Sequence, residues 1–406
     1  MKTYFKLAWR NLWRSKKRTL ITVASIFFGV FFVVMMSSLQ KGSFENMIEN
    51  MVRFYSGYIQ IQHEGYQENK SLNKSMVYDE SLDSLLSNTE GITGFTHRIE
   101  SFALASTGDK SFGAMVFGIL PENENKISGI KKRVSEGEYI KPGSKGIMIG
   151  KGLASNLNIG VNDTLILLGQ GYHGVTAAGK YHVVALLDFP INDMNNRFVY
   201  LDMEACSDLY DLGGKATSAV IMVKDPYVVD RVISRLKPGV SDELVVLSWK
   251  EIQAELENLI SGKLASGKIV KAILFMVIGF GIWGTIIMLM SERKRELGIM
   301  IAVGVRKIRL VWIVAIESFF IGLLGVISGA IVSFPLVYYL FKNPIYVTGK
   351  VAKTYEDMGF EPVIKFGLQP DIFINPALTV FILFGLITIY PIWFIYKLKT
   401  VEALRA

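Results

Sequence analysis

Four long apolar stretches constrain this chain more than any other feature of its sequence. They cover residues 20–39, 269–290, 310–341 and 377–396, and the first of them contains no charged side chain. A helix needs about 20 consecutive apolar residues to cross the hydrocarbon core of a bilayer. The pattern therefore predicts an α-helical membrane protein with four transmembrane helices.

A segment of mixed composition, residues 40–268, separates the first apolar stretch from the second. Alternating runs such as 58–62 and 112–120 predict strands, and apolar positions at helical spacing such as 203–210 predict helices between them. Residues 250–263 predict a helical stalk that leads into the second span. The predicted fold class is thus four transmembrane helices plus an α+β extracytoplasmic (periplasmic) domain inserted between helices 1 and 2.

The distribution of Lys and Arg predicts the orientation of these helices. Residues 1–19 carry seven basic side chains and no acid, the loop 291–309 has a net charge of +4, and the tail 397–406 has +2. The segment 40–268 has a net charge of −5. Because short basic loops stay in the cytoplasm, we expect both termini there, with the large domain and the loop 342–376 on the outer side of a bacterial inner membrane. The overall charge of +8 is then a topology signal and predicts no nucleic-acid binding.

Residues 1–19 have a second property besides their charge. Aromatic side chains such as Trp9 and Trp13 alternate with the basic ones at helical spacing, which is typical of a helix that lies in the headgroup layer. A cytoplasmic interfacial amphipathic helix is predicted here. The alternative is a basic flank that only sets the topology.

The chain shows no sign of its own catalytic chemistry. Gly150-Lys151 lacks the rest of a Walker A motif, the four histidines have no metal-binding spacing, and the single Cys206 excludes an internal disulfide. The run from Gly169 to Gly174 matches G-x-G-x-x-G, but no helix pattern follows it, so it predicts a glycine-rich loop between two strands. We therefore expect no catalytic residue, no metal and no cofactor bound by this chain.

The cytoplasmic loop between the second and third stretches is the first candidate site. It is short and charged, and it predicts a helix that presents Arg293, Arg295 and Glu296, with Leu297 and Ile301 as an apolar plug for a soluble partner. Composition alone leaves a solvated loop that only sets the topology as an equal alternative.

The third and first stretches contain further candidates. Glu317 is costly inside a membrane unless it has a partner or lies near the surface, and Gly325-x-x-x-Gly329 predicts a close helix contact. In the first stretch, bulky and deformable side chains form a possible acyl-chain surface, the alternative being ordinary lipid-facing or packing residues: Phe28, Phe31, Phe32, Met35 and Met36.

Several of these residues together resemble a known family. The run Glu292-Arg293-x-Arg295-Glu296-Leu297-Gly298, followed by Ala302-x-Gly304, then Glu317 and the glycines Gly322, Gly325 and Gly329, resembles the signature of FtsX-like ABC-transporter permeases. The opening Ala8-x-Arg10-Asn11-Leu12-x-Arg14 and the ending at residues 401–405 are similar to that family's two ends. The exported run from Gly150 to Asp163 resembles the MacB-like periplasmic core that macrolide exporters share with lipoprotein-releasing (LolC/LolE-like) permeases.

The resemblance implies a permease subunit that pairs with a second permease, as a homo- or heterodimer, and binds two copies of a separate cytoplasmic ABC ATPase. ATP and Mg would then be held by that ATPase. The segment 291–304 would be the coupling helix, with Glu292, Arg293, Arg295, Glu296, Leu297, Gly298, Ala302 and Gly304 as its candidate residues. Such permeases act as mechanical transmitters between the ATPase and the exported domain.

Within this family the lipoprotein-releasing branch is favoured. The macrolide branch usually carries its ATPase fused at the N-terminus, for which this chain has no room, and the loop 342–376 is longer than expected there. Lol permeases carry a hook for a periplasmic lipoprotein chaperone at the position of the glycine-rich loop. The resemblance implies a loop that binds a periplasmic partner here, with the candidate residues Gln170, Tyr172, His173 and Lys180. This loop is shorter and richer in Gly than the hook of Lol permeases, which puts a hook function in doubt. Two alternatives remain open: an exporter of peptides or drugs through a periplasmic adaptor and outer-membrane duct, and an FtsX-like transmitter that activates a cell-wall hydrolase.

Overall fold

The computed structural model describes residues 6, 9–10, 12–13, 16–224, 226–357 and 361–399. Much of the predicted interfacial helix lies outside the described residues, including the motif positions Ala8, Asn11 and Arg14, and so does the motif at 401–405. The chain divides into two compact units. We call them the helical unit (Met1–Glu45, Ile260–Tyr346 and Val363–Ala406) and the sheet unit (Asn46–Leu259 and Val347–Pro362).

The first helix, α1 (Lys16–Met51), is much longer than the apolar stretch within it. Its 36 residues correspond to about 54 Å. A π-helical turn, Val52–Ser56, follows. Gly57 then ends the helix with a φ of 64°, and a Cβ on Gly57 would lie 2.5 Å from a methyl carbon of Val220. Only glycine meets both conditions without strain.

Strands and short helices then alternate through the sheet unit. In chain order they are β1 (Ile59–His63), α2 (Tyr66–Asn69), α3 (Glu80–Asn88), β2 (Ile92–Ser106), β3 (Ser111–Ile119), α4 (Pro121–Ser128), β4 (Val134–Gly137), β5 (Gly146–Gly150), α5 (Lys151–Leu157), β6 (Thr164–Gln170), β7 (Thr176–Leu187), α6 (Asn192–Arg197), β8 (Phe198–Asp202), α7 (Met203–Tyr210), β9 (Ser218–Val223), α8 (Val229–Leu236), β10 (Leu244–Ser248) and α9 (Trp249–Ile252).

The strands form one mixed ten-stranded sheet. Its order is β10-β1-β9-β2-β3-β8-β5-β7-β4, and β6 pairs with β2 and β7. Two neighbouring pairs are parallel, β3 with β8 and β5 with β7. The long strand β2 organises the sheet, because its first half pairs with β9 and its second half with β3 and β6.

The remaining elements carry the other spans and the two loops between them. They are α10 (Ala254–Glu292), α11 (Lys294–Ala302), α12 (Lys307–Lys342), β11 (Ile345–Tyr346), α13 (Gly349–Asp357), β12 (Val363–Ile364), α14 (Asp371–Ile387) and α15 (Ile389–Lys397). The predicted stalk helix near residue 250 is divided, since α9 ends before α10 begins. The last span is also divided, at Thr388.

Within the described residues, four helical segments are long and apolar enough to cross a membrane: Thr19–Ser56, Ala254–Glu292, Lys307–Lys342 and Asp371–Lys397. All ten strands of the large sheet lie between the first and second of them along the chain, whereas α13, which also belongs to the sheet unit, lies between the third and fourth. The predicted fold class is therefore confirmed. The points at which each helix enters and leaves the membrane stay a prediction.

Candidate functional site

The short helix α11 is defined by how it ends. Gly304 has a φ of 95°, a left-handed conformation that closes many helices at the residue after the C-cap. The Gly304 N–H donates to the Ile301 carbonyl and the Val305 N–H to the Met300 carbonyl, both at 3.0 Å. These two bonds form a Schellman motif. The glycine of the Ala302-x-Gly304 motif is thus a helix stop.

The two faces of α11 differ from the sequence prediction. Leu297, predicted to be part of a plug for a partner, is only 3% exposed and packs in the core of the helical unit. Arg293 and Gly298 are buried as well. Because these residues are buried in the helical unit, they anchor the helix to it. They therefore have little surface left for contact with a partner.

The exposed face of α11 carries apolar side chains that sequence reasoning missed. Ile299 is 46% exposed, Met300 37% and Val303 80%. The spacing of these residues in the sequence indicates this second face, since residues 299 and 303 are one helical turn apart and do not fall on the face of Leu297. Arg295, Glu296, Ala302 and Gly304 are also exposed, and their contact with a partner stays a prediction. Glu292 is exposed too.

Arg293 and Glu317 form a buried ion pair within the helical unit. The Nη1 atom of Arg293 lies 2.7 Å from Oε2 of Glu317, and the side chains are 8% and 5% exposed. The Nε atom of Arg293 also lies 3.8 Å from Oε2 of Glu296. Glu317, in α12, thus has the partner that a carboxylate in an apolar helix requires.

The three candidate glycines of α12 lie at close helix contacts. A Cβ on Gly325 would lie 2.6 Å from Cβ of Ile26, and one on Gly329 would lie 2.8 Å from Cβ of Val30. Gly322 faces the ring of Phe384 in α14 in the same way, at 2.6 Å. The small residues let α1 and α14 approach α12.

The aromatic residues of α1 form a ladder. Phe28 and Phe32 are 53% and 54% exposed, and their rings stack with centroids 6.2 Å apart. Phe31 stacks on Phe27 at 6.1 Å. Phe31, Met35 and Met36 are half-buried. The predicted acyl-chain surface is therefore open at Phe28 and Phe32 and partly covered elsewhere.

The glycine-rich loop joins β6 to β7 without an intervening α-helix, as expected. Gln170, the last residue of β6, and His173, in the turn, are exposed, whereas Lys180 lies further along β7, opposite Ile166. The hydroxyl of Tyr172 accepts a 2.6 Å hydrogen bond from Lys215, and the His173 N–H donates to Asn73 at 2.8 Å. These two hydrogen bonds attach the loop to the rest of the sheet unit.

An exposed apolar patch lies on the strands next to this loop. Leu104 of β2 is directly opposite Leu168 of β6, and these side chains are 44% and 42% exposed. Phe102, on the same face of β2, is 56% exposed. Water-exposed patches of this kind mark interaction sites.

Cys206 is fully buried, and its burial raises the pKa of the thiol, so it offers no reactive thiolate.

Two family profiles match this chain. The family profile described as MacB-like periplasmic core domain matches residues 19–246, and the profile described as FtsX-like permease C-terminal matches residues 269–400. The first match alone covers more than half of the chain.

Individual relatives are distant but extensive. The chain is 24% identical over 328 residues to the lipoprotein-releasing system transmembrane protein LolC of Xylella fastidiosa, which covers 77% of this chain and 78% of that protein. It is 24% identical over 359 residues to the macrolide export ATP-binding/permease protein MacB of Campylobacter jejuni, covering 82% of this chain and 53% of that protein. The periplasmic region of MacB from Actinobacillus actinomycetemcomitans aligns with 51% of this chain and 96% of its own, at 14% identity and a TM-score of 0.35.

Proposed function

Because this chain belongs to the family of FtsX-like permeases with a MacB-like periplasmic core domain, and is an ABC transporter permease of the inner membrane, we propose that it extracts lipoproteins from that membrane and passes them to a periplasmic carrier. It would do so together with a second permease, with ATP hydrolysed by two copies of a separate cytoplasmic ATPase. The observation that carries the coupling part of this proposal is α11, a short anchored helix with an exposed apolar face.

The coupling step uses that face. Ile299, Met300 and Val303 would sit in a groove of the ATPase, with Arg295 and Glu296 at the rim. Burial of apolar side chains supplies most of the affinity of such a contact, and charges at its edge supply orientation. A movement of the ATPase would then displace α11 and the helices on either side of it.

The substrate proposal rests on the aromatic ladder of α1. Each CH2 group of an acyl chain contributes about 0.8 kcal/mol to membrane anchoring, so withdrawing even one chain into water is very costly. A permease that presents an apolar surface at Phe28 and Phe32 lowers this cost, because the acyl chain then moves from lipid onto an apolar protein surface and not into water. The LolC relative, a component of a lipoprotein-releasing system by its name, supports the same substrate class.

The exported end would pass the substrate on. The glycine-rich loop and the neighbouring patch of Phe102, Leu104 and Leu168 form one exposed surface with both polar and apolar groups. We propose that this surface binds the periplasmic carrier. Helices α1 and α10 each contribute residues to both units, so an axial displacement of either helix reaches the sheet unit through a continuous backbone.

The first test is isolation of the chain from its own host in mild detergent, with bound proteins identified by mass spectrometry. Recovery of an ATPase, a second permease and acylated proteins is expected. Recovery of the ATPase with an outer-membrane duct would favour the exporter alternative. The match to MacB over 82% of the chain is the observation that supports this alternative. Recovery with a cell-wall hydrolase would favour the transmitter, and recovery without any ATPase would contradict the coupling proposal.

A second test addresses the substrate surface directly. A photoreactive phenylalanine analogue at Phe28 or Phe32 should form adducts with lipoproteins in intact cells. The matched control is the same analogue at Phe341, a 45%-exposed phenylalanine of α12. Equal labelling at Phe341 would mean that the adducts report only nearby lipid and membrane proteins.

A further inference from the structure

The position of the Arg293–Glu317 pair is its most informative property. Arg293 lies between the last residue of α10 and the first residue of α11, at the turn that joins the two helices. Its N–H donates to Leu289 and its carbonyl accepts from the N–H of Leu297, so backbone hydrogen bonding continues through the turn. Glu317 belongs to α12, on the other side of the loop. One ion pair therefore joins three helices.

A buried ion pair is not needed for stability at this position. Replacing such a pair with apolar side chains of similar volume is often neutral or stabilising, because each charge loses its hydration on burial. Leu297, Leu310 and Val314 already provide an apolar core in the helical unit. The pair adds a fixed relative geometry of the helices that it joins, since a charge-assisted hydrogen bond at 2.7 Å restricts distance and angle in a way that apolar packing does not.

A second polar contact holds the far end of the same loop. Nζ of Lys307, the first residue of α12, donates to the carbonyl oxygens of Tyr396 and Leu398, each at 2.8 Å. These carbonyls lie at the C-terminal end of α15, where a cation is favourable. The exposed face of α11 therefore lies between two fixed points, Arg293 before it and Lys307 after it.

We propose that Arg293 and Glu317 are positioning residues that make α10, α11 and α12 move as one rigid body, so that force applied to the exposed face of α11 reaches both long helices. This inference rests on the proposed coupling function and adds the internal link through which it acts. The pair itself does not contact the ATPase, because both side chains are buried in the helical unit.

The variants distinguish the effect of the ion pair from the effect of side-chain volume at the same two positions. Arg293→Met with Glu317→Leu removes both charges and retains apolar volume, whereas Arg293→Glu with Glu317→Arg reverses the pair. In the complex, we expect each single charge reversal and the apolar double variant to lower substrate released per ATP about tenfold, within the usual range of coupling effects. The reversed pair should recover most of this loss. Co-purification of the ATPase should persist in the apolar double variant.

A distance measurement tests the rigid body without relying on a substrate. Met288 of α10 and Trp312 of α12 are each 59% exposed and outside the proposed binding surfaces. Spin labels at Met288→Cys and Trp312→Cys, in a Cys206→Ala background, should give a narrow distance distribution that is the same in the nucleotide-free and ATP-trapped complex. The apolar double variant should broaden the distribution, even in the isolated permease.

Two results would overturn the inference. One is a change of the Met288–Trp312 distance on ATP trapping in the otherwise unaltered chain, because the two helices would then move separately. The other is an apolar double variant with normal coupling and a narrow distribution, because the pair would then be replaceable packing. A chain that releases no lipoprotein would contradict the proposed substrate and leave both distance outcomes readable.

Discussion

At the scale of single residues, the sheet unit is held by a buried charge. The guanidinium of Arg98 donates to both carboxylate oxygens of Glu124, at 2.8 and 2.7 Å, and to the carbonyl of Tyr55 in the turn that follows α1. Burial alone would lower the pKa of Arg98, but the neighbouring Glu124 carboxylate raises it, so the guanidinium stays charged. The pair thus fixes the end of the first helix to β2 and α4.

Arg98→Met should lower the free energy of unfolding of the sheet unit by roughly 3–5 kcal/mol, because the Glu124 carboxylate is left buried without its partner. The measurement is thermal unfolding of the full chain in detergent. The double variant Arg98→Met with Glu124→Leu should lose much less. Arg197→Met is the matched control, since the Arg197–Asp193 pair is 64% and 62% exposed and a surface pair contributes little. A similar loss at Arg197 would show that burial is not the cause.

His97 should make the sheet unit less stable at acidic pH. Its ring stacks on Tyr78 with centroids 4.2 Å apart, and burial lowers its pKa, with a smaller opposing effect from Asp83. The unfolded chain therefore binds the proton more readily than the folded chain. Stability is lost as the pH falls from the ordinary histidine value of 6.5 towards the lower folded value, and the neutral range is unaffected.

The check is the melting temperature of His97→Phe relative to the parent chain between pH 7.5 and 5. Phenylalanine retains the stacking and does not titrate, so the variant should gain relative stability as the pH falls. His173→Phe, at an exposed histidine, is the control. A constant difference across the range for His97→Phe would rule out the pH dependence.

At the scale of secondary-structure elements, glycines decide how the helices of the helical unit pack. Gly325 and Gly329 are one turn apart on α12 and meet Ile26 and Val30, which are one turn apart on α1. The interhelical contact is thus built from two glycine positions against two branched side chains. Dispersion contacts and close backbone approach stabilise such pairs in lipid, where the hydrophobic effect between helices is absent.

Gly329→Leu should separate α12 from α1 and reduce the thermal stability of the chain in detergent. The reason is that its Cβ would lie 2.8 Å from Cβ of Val30 and 2.9 Å from the Phe27 carbonyl oxygen. Gly385→Leu is the control, because no atom of the described residues lies within 4 Å of a Cβ added there. If both leucine variants melted alike, the close contact would not be the stabilising one.

At the scale of the whole molecule, the chain passes between the helical unit and the sheet unit four times, and two of these crossings lie within helices, α1 and α10. Each of these helices runs through a unit boundary without a linker. A long helix transmits displacement along its axis because its backbone hydrogen bonds run in the same direction. The proposed coupling function relies on this continuity.

Val303→Asp should abolish co-purification of the ATPase and leave the amount of inserted chain unchanged, because the side chain is 80% exposed on α11 and a charge at the centre of an apolar contact must lose its hydration. Val77→Asp is the matched control, an exposed valine (67%) of the sheet unit. Retained ATPase binding in Val303→Asp would show that α11 is not the docking helix.

The sequence determined the number of spans, the insertion of a folded domain between the first two, and the family, because these depend on local composition and on motifs of adjacent residues. It also determined strands with alternating patterns, such as β1 and β3. It did not determine β2, whose alternation is disguised by the buried Arg98 and Glu100. A charged residue inside a sheet reads as exposed until its partner is known.

Only the tertiary structure decided which residues of the candidate site face a partner. Leu297 and Val303 are both apolar residues of the same loop. Helical spacing places them on different faces, but only the tertiary structure shows that Leu297 is the buried one and that Val303 is 80% exposed. The pairing of Arg293 with Glu317 likewise requires α12 to pack against the turn before α11. Contacts between residues distant in the chain depend on how helices pack, and that geometry is set by the sum of all side-chain volumes in the unit and not by any single segment.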